Sequence, residues 1–152
     1  MFQDDLSIHA DSRRKIWKPN VRAMTKNWLN MGLRPRAVTR DMEWGIKLPD
    51  TGDDWDSKRI YVWFEAVQGY YTCARIWSER FASQAGHSMG DDAWKNWWID
   101  SSESSLKHIY FMGKDNIPFH TIIWPAILMG LNSSGSDQLH LEDNVAANEF
   151  LM

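Results

Sequence analysis

A single cysteine, Cys73, stands among 152 residues. No intramolecular disulfide can form, and no Cys-x-x-Cys zinc knuckle can be built from this chain alone. Long apolar runs are missing too: no uninterrupted stretch approaches the roughly 20 residues that a membrane-spanning helix needs. The opening residues, with Asp4 and Asp5, lack the basic-then-apolar order of a secretory leader, so a cytoplasmic location and no membrane partner are expected. Nothing repeats internally, and no low-complexity tract offers a long flexible linker. A chain of this length buries roughly 70% of the surface its unfolded form exposes, which suits one domain or a sizeable part of one.

Charge is unevenly placed. The net value is −3, yet residues 1–40 hold nine Lys or Arg against three Asp, or +6, leaving −9 for the remainder. The basic residues Arg13, Arg14, Lys15, Lys18 and Arg22 are of the type that neutralises nucleic-acid phosphates, but a solvated, exposed helix face is the stronger reading of such a run.

The most informative stretch runs from Tyr110 to Gly130. An apolar strand over 107–112 leads through Gly113-Lys114-Asp115 straight into a helix start. In open parallel sheets, ligands bind outside the carboxyl ends of strands. Gly113 offers a close backbone approach there, and Asp115 stands at the strand edge. Asn116 fits an N-cap and Pro118 the first turn, with Phe119, His120, Ile123, Trp124, Ile127 and Leu128 along one face of a helix over 117–129. A polar turn over 132–136 and a β-like run from Gln138 follow.

Earlier, Trp17, Val21, Met24, Trp28, Leu29 and Met31 predict a helix over about 11–31, broken or started at Pro19-Asn20. The run Ile60–Phe64 predicts a strand buried on both faces of a parallel sheet. A helix of about 20 residues should come next, with a buried stripe of Ala66, Val67, Tyr70, Tyr71, Ala74, Trp77 and Phe81, ending by Gly86–Gly90. A shorter segment over 91–99, capped by Asp91 or Asp92, carries Trp94, Trp97 and Trp98. The alternation of strands and helices implies an α/β fold, a Rossmann-like parallel sheet with flanking helices, preceded by a short helical segment.

Three blocks, in this order, carry a family resemblance: Gly32-Leu-Arg-Pro-Arg-Ala-Val-Thr-Arg-Asp-Met-Glu-Trp-Gly-Ile-Lys-Leu-Pro49, then Tyr61-Val-Trp-Phe-Glu-Ala-Val-Gln-Gly-Tyr70, then Tyr110–Gly130. Together they resemble the second half of the catalytic domain of methionyl-tRNA synthetases, class I aminoacyl-tRNA synthetases whose nucleotide-binding fold is interrupted by an inserted connective domain. The resemblance implies that residues 1–36 form the helical exit of that insertion and 37–152 the second half of the catalytic core.

It also implies a role for each candidate residue. Trp63, Ala66, Tyr70, Asn116, Phe119, His120 and Trp124 would form the methionine pocket. Aromatic walls suit a polarisable, uncharged thioether, each sulfur contact contributing roughly 0.3–1.5 kcal/mol, and Tyr70 and His120 would add hydrogen-bond donors to the sulfur. Gly113 and Asp115 would serve the nucleotide side, with Arg40 paired to Asp115, the latter two being the candidate catalytic groups. His9, His87, His108 and His140 match nothing in the family pattern, and Lys114 should face solvent.

The implied activity is a ligase that joins L-methionine to ATP as methionyl-adenylate and passes it to tRNA(Met), with Mg accompanying ATP. These 152 residues contain neither the family's His-x-x-His-like motif nor its Lys- or Ser-rich signature loop. The chain is therefore expected to be an inactive fragment that works with the rest of the synthetase chain and binds no cofactor or metal alone. The alternatives are a non-catalytic methionine- or nucleotide-binding α/β module, or a class I synthetase for another aliphatic amino acid.

Overall fold

The computed structural model describes residues 2–50, 52, 54–100, 105–135 and 137–149. Two helices open it. Helix α1, Gln3–Ser12, has Asp4 and Asp5 in its first turn, where carboxylates meet the positive end of the helix dipole, and it buries Leu6 and His9. Helix α2, Pro19–Asn30, begins with Pro19 and buries Val21, Thr25 and Leu29, a spacing of four that keeps one face inward. Within the expected helical span 11–31 the helix starts at Pro19, one of the two alternatives at Pro19-Asn20, whereas α1 was not foreseen because its face is mostly polar. Gly32 follows α2 with φ +77, the left-handed conformation that ends many helices.

The next segment departs furthest from expectation. Strand β1, Thr39–Asp41, pairs antiparallel with β2, Lys58–Ile60, in a two-stranded sheet of its own. Arg59 organises this hairpin: it is buried, and its guanidinium donates to the carbonyls of Asp56 at 2.6 Å, Lys58 at 2.7 Å and Glu43 at 3.2 Å. Lys58 adds a 2.7 Å ion pair with Asp41. No strand runs from Ile60 to Phe64. Strand β2 ends at Ile60 and helix α3 takes up Val62–Glu65, with the Tyr61 carbonyl accepting from the N–H groups of Phe64 and Glu65. A short apolar run fits either element, and here the helix that follows captured it.

That helix continues through a tight 3-10 turn at Ala66–Gln68, α4 at Gly69–Trp77 and a widened π turn at Ser78–Ala82. Each change of winding rotates the inward face. Val67 of the predicted stripe is buried as expected, but Ala66, Tyr70 and Phe81 are exposed, and Ser78 and Ala82 are buried in their place. Beyond a 3-10 turn at Gly90–Asp92, the four-residue α5, Lys95–Trp98, brings Trp94 and Trp98 into the core and leaves Trp97 exposed. Asp92 makes a 3.1 Å ion pair with Lys95 instead of the predicted side-chain cap.

Strand β3, Ile109–Gly113, pairs parallel with β4, Asn144–Asn148, Tyr110 lying opposite Val145 and Met112 opposite Ala147. Between them the chain makes a 3-10 turn at Lys114–Asn116, a π turn at Phe119–Ile123 and α6, Trp124–Ser134. Asn116 does not cap through its side chain. Pro125, lacking an N–H and crowding the carbonyl four residues back, accounts for the widened turn before it. Helix α6 outlasts its predicted end, taking in Asn132–Ser134 of the expected turn, whose Ser136 lies outside the described residues.

This strand-helix-strand unit carries the core. Val67, Trp94, Trp98, Tyr110, Trp124, Leu128 and Leu139 form one cluster, and Trp17, Val21, Ile117, Val145 and Ala147 another. Leu6, Leu29 and Ile122 join α1 and α2 to the π turn, as does the 2.9 Å hydrogen bond from Thr25 to Thr121. The described residues hold one parallel pair of strands rather than the three parallel strands expected.

Candidate ligand site at the carboxyl end of the parallel strands

The π turn after β3 sets Phe119 and His120 beside the helix that begins at Val62. Trp63 stacks on Phe119 with ring centroids 5.0 Å apart and planes 26° from parallel. About two turns along from Trp63, Tyr70 lies 4.8 Å from the Tyr110 ring and 5.7 Å from His120, and Tyr110 is 5.4 Å from His120. Beneath them Trp124, only 1% exposed, donates its indole N–H to the Tyr110 hydroxyl at 3.0 Å.

A hydrogen-bond chain fixes the protons. His120 Nδ1 lies 2.9 Å from the Asn116 carbonyl, and Nε2 lies 2.9 Å from the Tyr70 hydroxyl. A carbonyl only accepts, so Nδ1 carries the proton and Nε2 accepts from Tyr70. Burial holds His120 below its ordinary pKa and so favours this neutral tautomer. Burial likewise raises Tyr70, and pushes Tyr110 far above the usual phenol value. Both protons expected to reach a thioether are therefore already committed, that of His120 to Asn116 and that of Tyr70 to His120. What faces outward is a set of aromatic surfaces: Trp63 and Tyr70 are each 45% exposed.

Five of the candidate residues come together here: Trp63, Tyr70, Asn116 through its carbonyl, Phe119 and His120. Ala66, in the 3-10 turn between Trp63 and Tyr70, is exposed. Trp124 stands behind Tyr110. Gly113 has ordinary extended torsions of φ −75 and ψ 154, so its backbone conformation does not itself require glycine. Asp115 is exposed near Lys114, which forms a 2.8 Å ion pair with Glu149, each holding the other in its charged form. Lys114 thus has a partner where solvent alone was expected. Arg40 does not meet Asp115: its guanidinium donates to the carbonyls of Ala37 at 2.9 Å and Thr39 at 2.8 Å and lies 4.2 Å over the Tyr61 ring. Local carbonyls outcompeted the distant carboxylate.

Tyr110 was missed from the sequence, although its alternation with the outward Ile109 and Phe111 marks it as inward-facing. Hollows of ≈ 520 Å³ beside β1–β2 and ≈ 470 Å³ between α1 and α2 lie away from the aromatic cluster. Among the described residues, no group of three or more His, Cys, Asp or Glu is placed to hold a metal ion, and no helix is long and apolar enough to cross a membrane.

Over residues 1–152 the chain matches the family described as tRNA synthetases class I (M). It belongs to that family. Within the class I synthetases, a methionine–tRNA ligase of Roseiflexus sp. (strain RS-1) is 49% identical over 140 residues, 91% of this chain and 22% of the relative. That of Picrophilus torridus is 45% identical over 151 residues, 99% of this chain and 19% of the relative. A crystal structure of Mycobacterium tuberculosis methionyl-tRNA synthetase bound by methionyl-adenylate superposes with a TM-score of 0.66 at 23% identity, over 99% of this chain and 25% of that one. The chain spans about a fifth to a quarter of the length of these synthetases. The α/β, Rossmann-like synthetase fold expected from the sequence is the fold observed.

Proposed function

We propose that the chain is part of a methionine–tRNA ligase and carries most of its methionine pocket. Residues 1–36 are the helical exit of the inserted connective domain and 37–152 the second half of the catalytic core. Supporting this most directly is the neutral Tyr70–His120–Asn116 chain beside the Trp63–Phe119 stack. Methionine has an uncharged, polarisable side chain. A pocket whose polar groups are already paired and whose walls are aromatic favours a thioether over a charged or strongly hydrogen-bonding side chain. Trp63 and Phe119 supply ring faces, Tyr70 and His120 a fixed floor, Ala66 the room for an unbranched chain, and Trp124 rigid backing through Tyr110.

Activation needs no protein nucleophile. The methionine carboxylate attacks the α-phosphorus of ATP, the new C–O–P link forms, and pyrophosphate leaves with the electrons of the broken P–O bond. Proteins accelerate such a step by positioning and charge stabilisation. In this chain Asp115, exposed at the end of β3, suits the substrate ammonium or a ribose hydroxyl, and Gly113 the close approach of the nucleotide. Arg40, held away from Asp115 on Tyr61, remains a candidate for the adenylate only after leaving its carbonyl partners. The parts that would handle the phosphates, Mg included, and the transfer to tRNA(Met) belong to the rest of the synthetase, so the chain alone should not turn over. A cytoplasmic location accords with that role.

Titrating L-methionine while following tryptophan fluorescence tests the pocket, because Trp63 is half-exposed within it. A saturable response to methionine that leucine and norleucine fail to reproduce is expected. An equal response to leucine would instead favour a synthetase for an aliphatic amino acid.

A further inference from the structure

The groove between α1 and α2 has chemistry that the methionine pocket lacks. Trp17, Thr25 and Leu29 lie buried along it, Arg14, Arg22 and Lys26 are exposed beside them, and Asp11 is the one acidic residue in its lining. Lys15 and Lys18 continue the exposed basic row between the helices. None of these five cations has a carboxylate partner among the described residues: Arg22 donates to the Arg14 carbonyl at 2.9 Å and Lys18 to the Asn148 side chain at 3.4 Å. Elsewhere Lys58, Lys95 and Lys114 are each held by an acid at 2.7, 3.1 and 2.8 Å. The nearly fully buried Trp17 also lines the groove, and its indole N–H has no hydrogen-bond partner among the described residues.

We propose that this groove holds the phosphodiester backbone of RNA. Arg14 and Arg22 present planar forks that match phosphate oxygens, and Lys26, one turn beyond Arg22, follows as a point charge. Unpaired like charges repel one another in the free chain, and a polyanion relieves that repulsion while releasing its own counterions. No exposed aromatic lines the groove for base stacking, so the contact is to the backbone and independent of sequence. The assignment rests on the proposal that the parent enzyme handles tRNA, and it places a contact on the opening helices instead of at the pocket.

The test is fluorescence anisotropy of a labelled tRNA transcript titrated with the 152-residue chain across a series of salt concentrations. The triple variant Arg14→Ala, Arg22→Ala, Lys26→Ala should lower the slope of log affinity against log salt by about two to three, at roughly 0.7–0.9 per phosphate contact. The charge-retaining Arg14→Lys, Arg22→Lys variant should keep most of the slope, and a Lys58→Ala, Lys95→Ala, Lys114→Ala control all of it. An unchanged slope in the groove triple, an equal loss in the control, or tighter binding of polyglutamate than of RNA overturns the proposal. Methionine fluorescence separates the two assignments. A chain blind to methionine whose RNA slope still falls in the triple variant retains the groove and loses the pocket. One that binds methionine but keeps its full RNA slope does the reverse.

Discussion

The two ends of the β3–β4 pair are built from opposite chemistry. At the carboxyl end, rings and a neutral histidine are joined by hydrogen bonds and left partly open. At the amino end, charge closes on itself. Glu142, wholly buried just before β4, accepts from His9 of α1 at 2.9 Å, and Arg13 donates to the Glu142 carbonyl at 3.2 Å while lying 3.6 Å from Asp143. Asp143 also takes His140 at 2.7 Å and the His108 N–H at 2.9 Å, and His140 reaches Asp100 at 2.6 Å. Burial alone would raise Asp143, yet His140, the His108 N–H and Arg13 together hold it below its ordinary value. A network that consumes its own charges fastens α1 to the sheet, whereas the opposite end keeps surface available to a ligand. Perturbed titration by itself does not separate the two; the direction in which unsatisfied surface faces does.

Breaking the amino end should cost the most. Glu142→Ala removes one partner of a buried pair and strands His9, so a loss of about 3–5 kcal/mol is expected from the urea midpoint. Glu142→Gln, which keeps the shape and an acceptor, should lose much less; an equal loss would mean that charge, not the hydrogen bond, fastens α1. Next comes Tyr110→Phe, which leaves the buried Trp124 N–H without an acceptor at a cost of about 1–3 kcal/mol. Because Tyr110 lies behind the exposed rings, methionine affinity should change little, and a large drop would move Tyr110 from backing to contact.

The same contrast decides what the sequence could reveal. The candidate pocket end was legible because its residues lie within two contiguous blocks, each a helix entry, that carry the family resemblance. Trp63 and Tyr70, and Asn116, Phe119 and His120, stand out by that resemblance and not by spacing alone. The amino-end network was not legible, since His9 and Glu142 are 133 positions apart and only the fold joins them. For that reason His9, His108 and His140 matched no motif yet are the residues that tie separate elements together. Errors of winding had a different origin. Period counting assumes constant pitch, so the 3-10 and π turns within 62–82 displaced Ala66, Tyr70 and Phe81 from the predicted buried stripe. Arg40 and Asp115 failed as a pair because spacing says nothing about which carbonyls a guanidinium finds first.

Tyr70→Phe sharpens the comparison from the pocket side. The change deletes the hydroxyl of a half-exposed ring but leaves the buried His120 Nε2 without its donor, so stability should fall by about 1 kcal/mol, toward the low end for an unpaired buried polar atom. Methionine affinity should fall about fivefold, or about 1 kcal/mol, because the His120 ring is no longer held in place beside the ligand, the Tyr70 proton itself being committed to His120. Unchanged affinity, with the fold intact by circular dichroism, would take Tyr70 out of the pocket.

The smallest expected effect appears in pH. Burial lowers His120 at one end of the sheet and His108 at the other, the latter helped by neighbouring His140. In the unfolded chain each histidine regains an ordinary pKa of 6.5. Between that value and the lowered folded one, the unfolded state binds more protons. Stability is therefore full above about pH 6.5 and declines as pH falls through the folded pKa values. His120→Gln and His108→Gln should each flatten part of that decline in urea midpoints measured down to about pH 5. Only His120 should also affect ligand binding, because protonating Nε2 removes the acceptor for Tyr70 and places a cation beside a neutral thioether. Methionine affinity in the unmodified chain should weaken as pH falls through the lowered folded pKa of His120, below 6.5, and His108→Gln should leave that dependence intact. If instead His108→Gln abolishes it, the two ends are coupled through β3, and the division between a closed charged end and an open aromatic one fails.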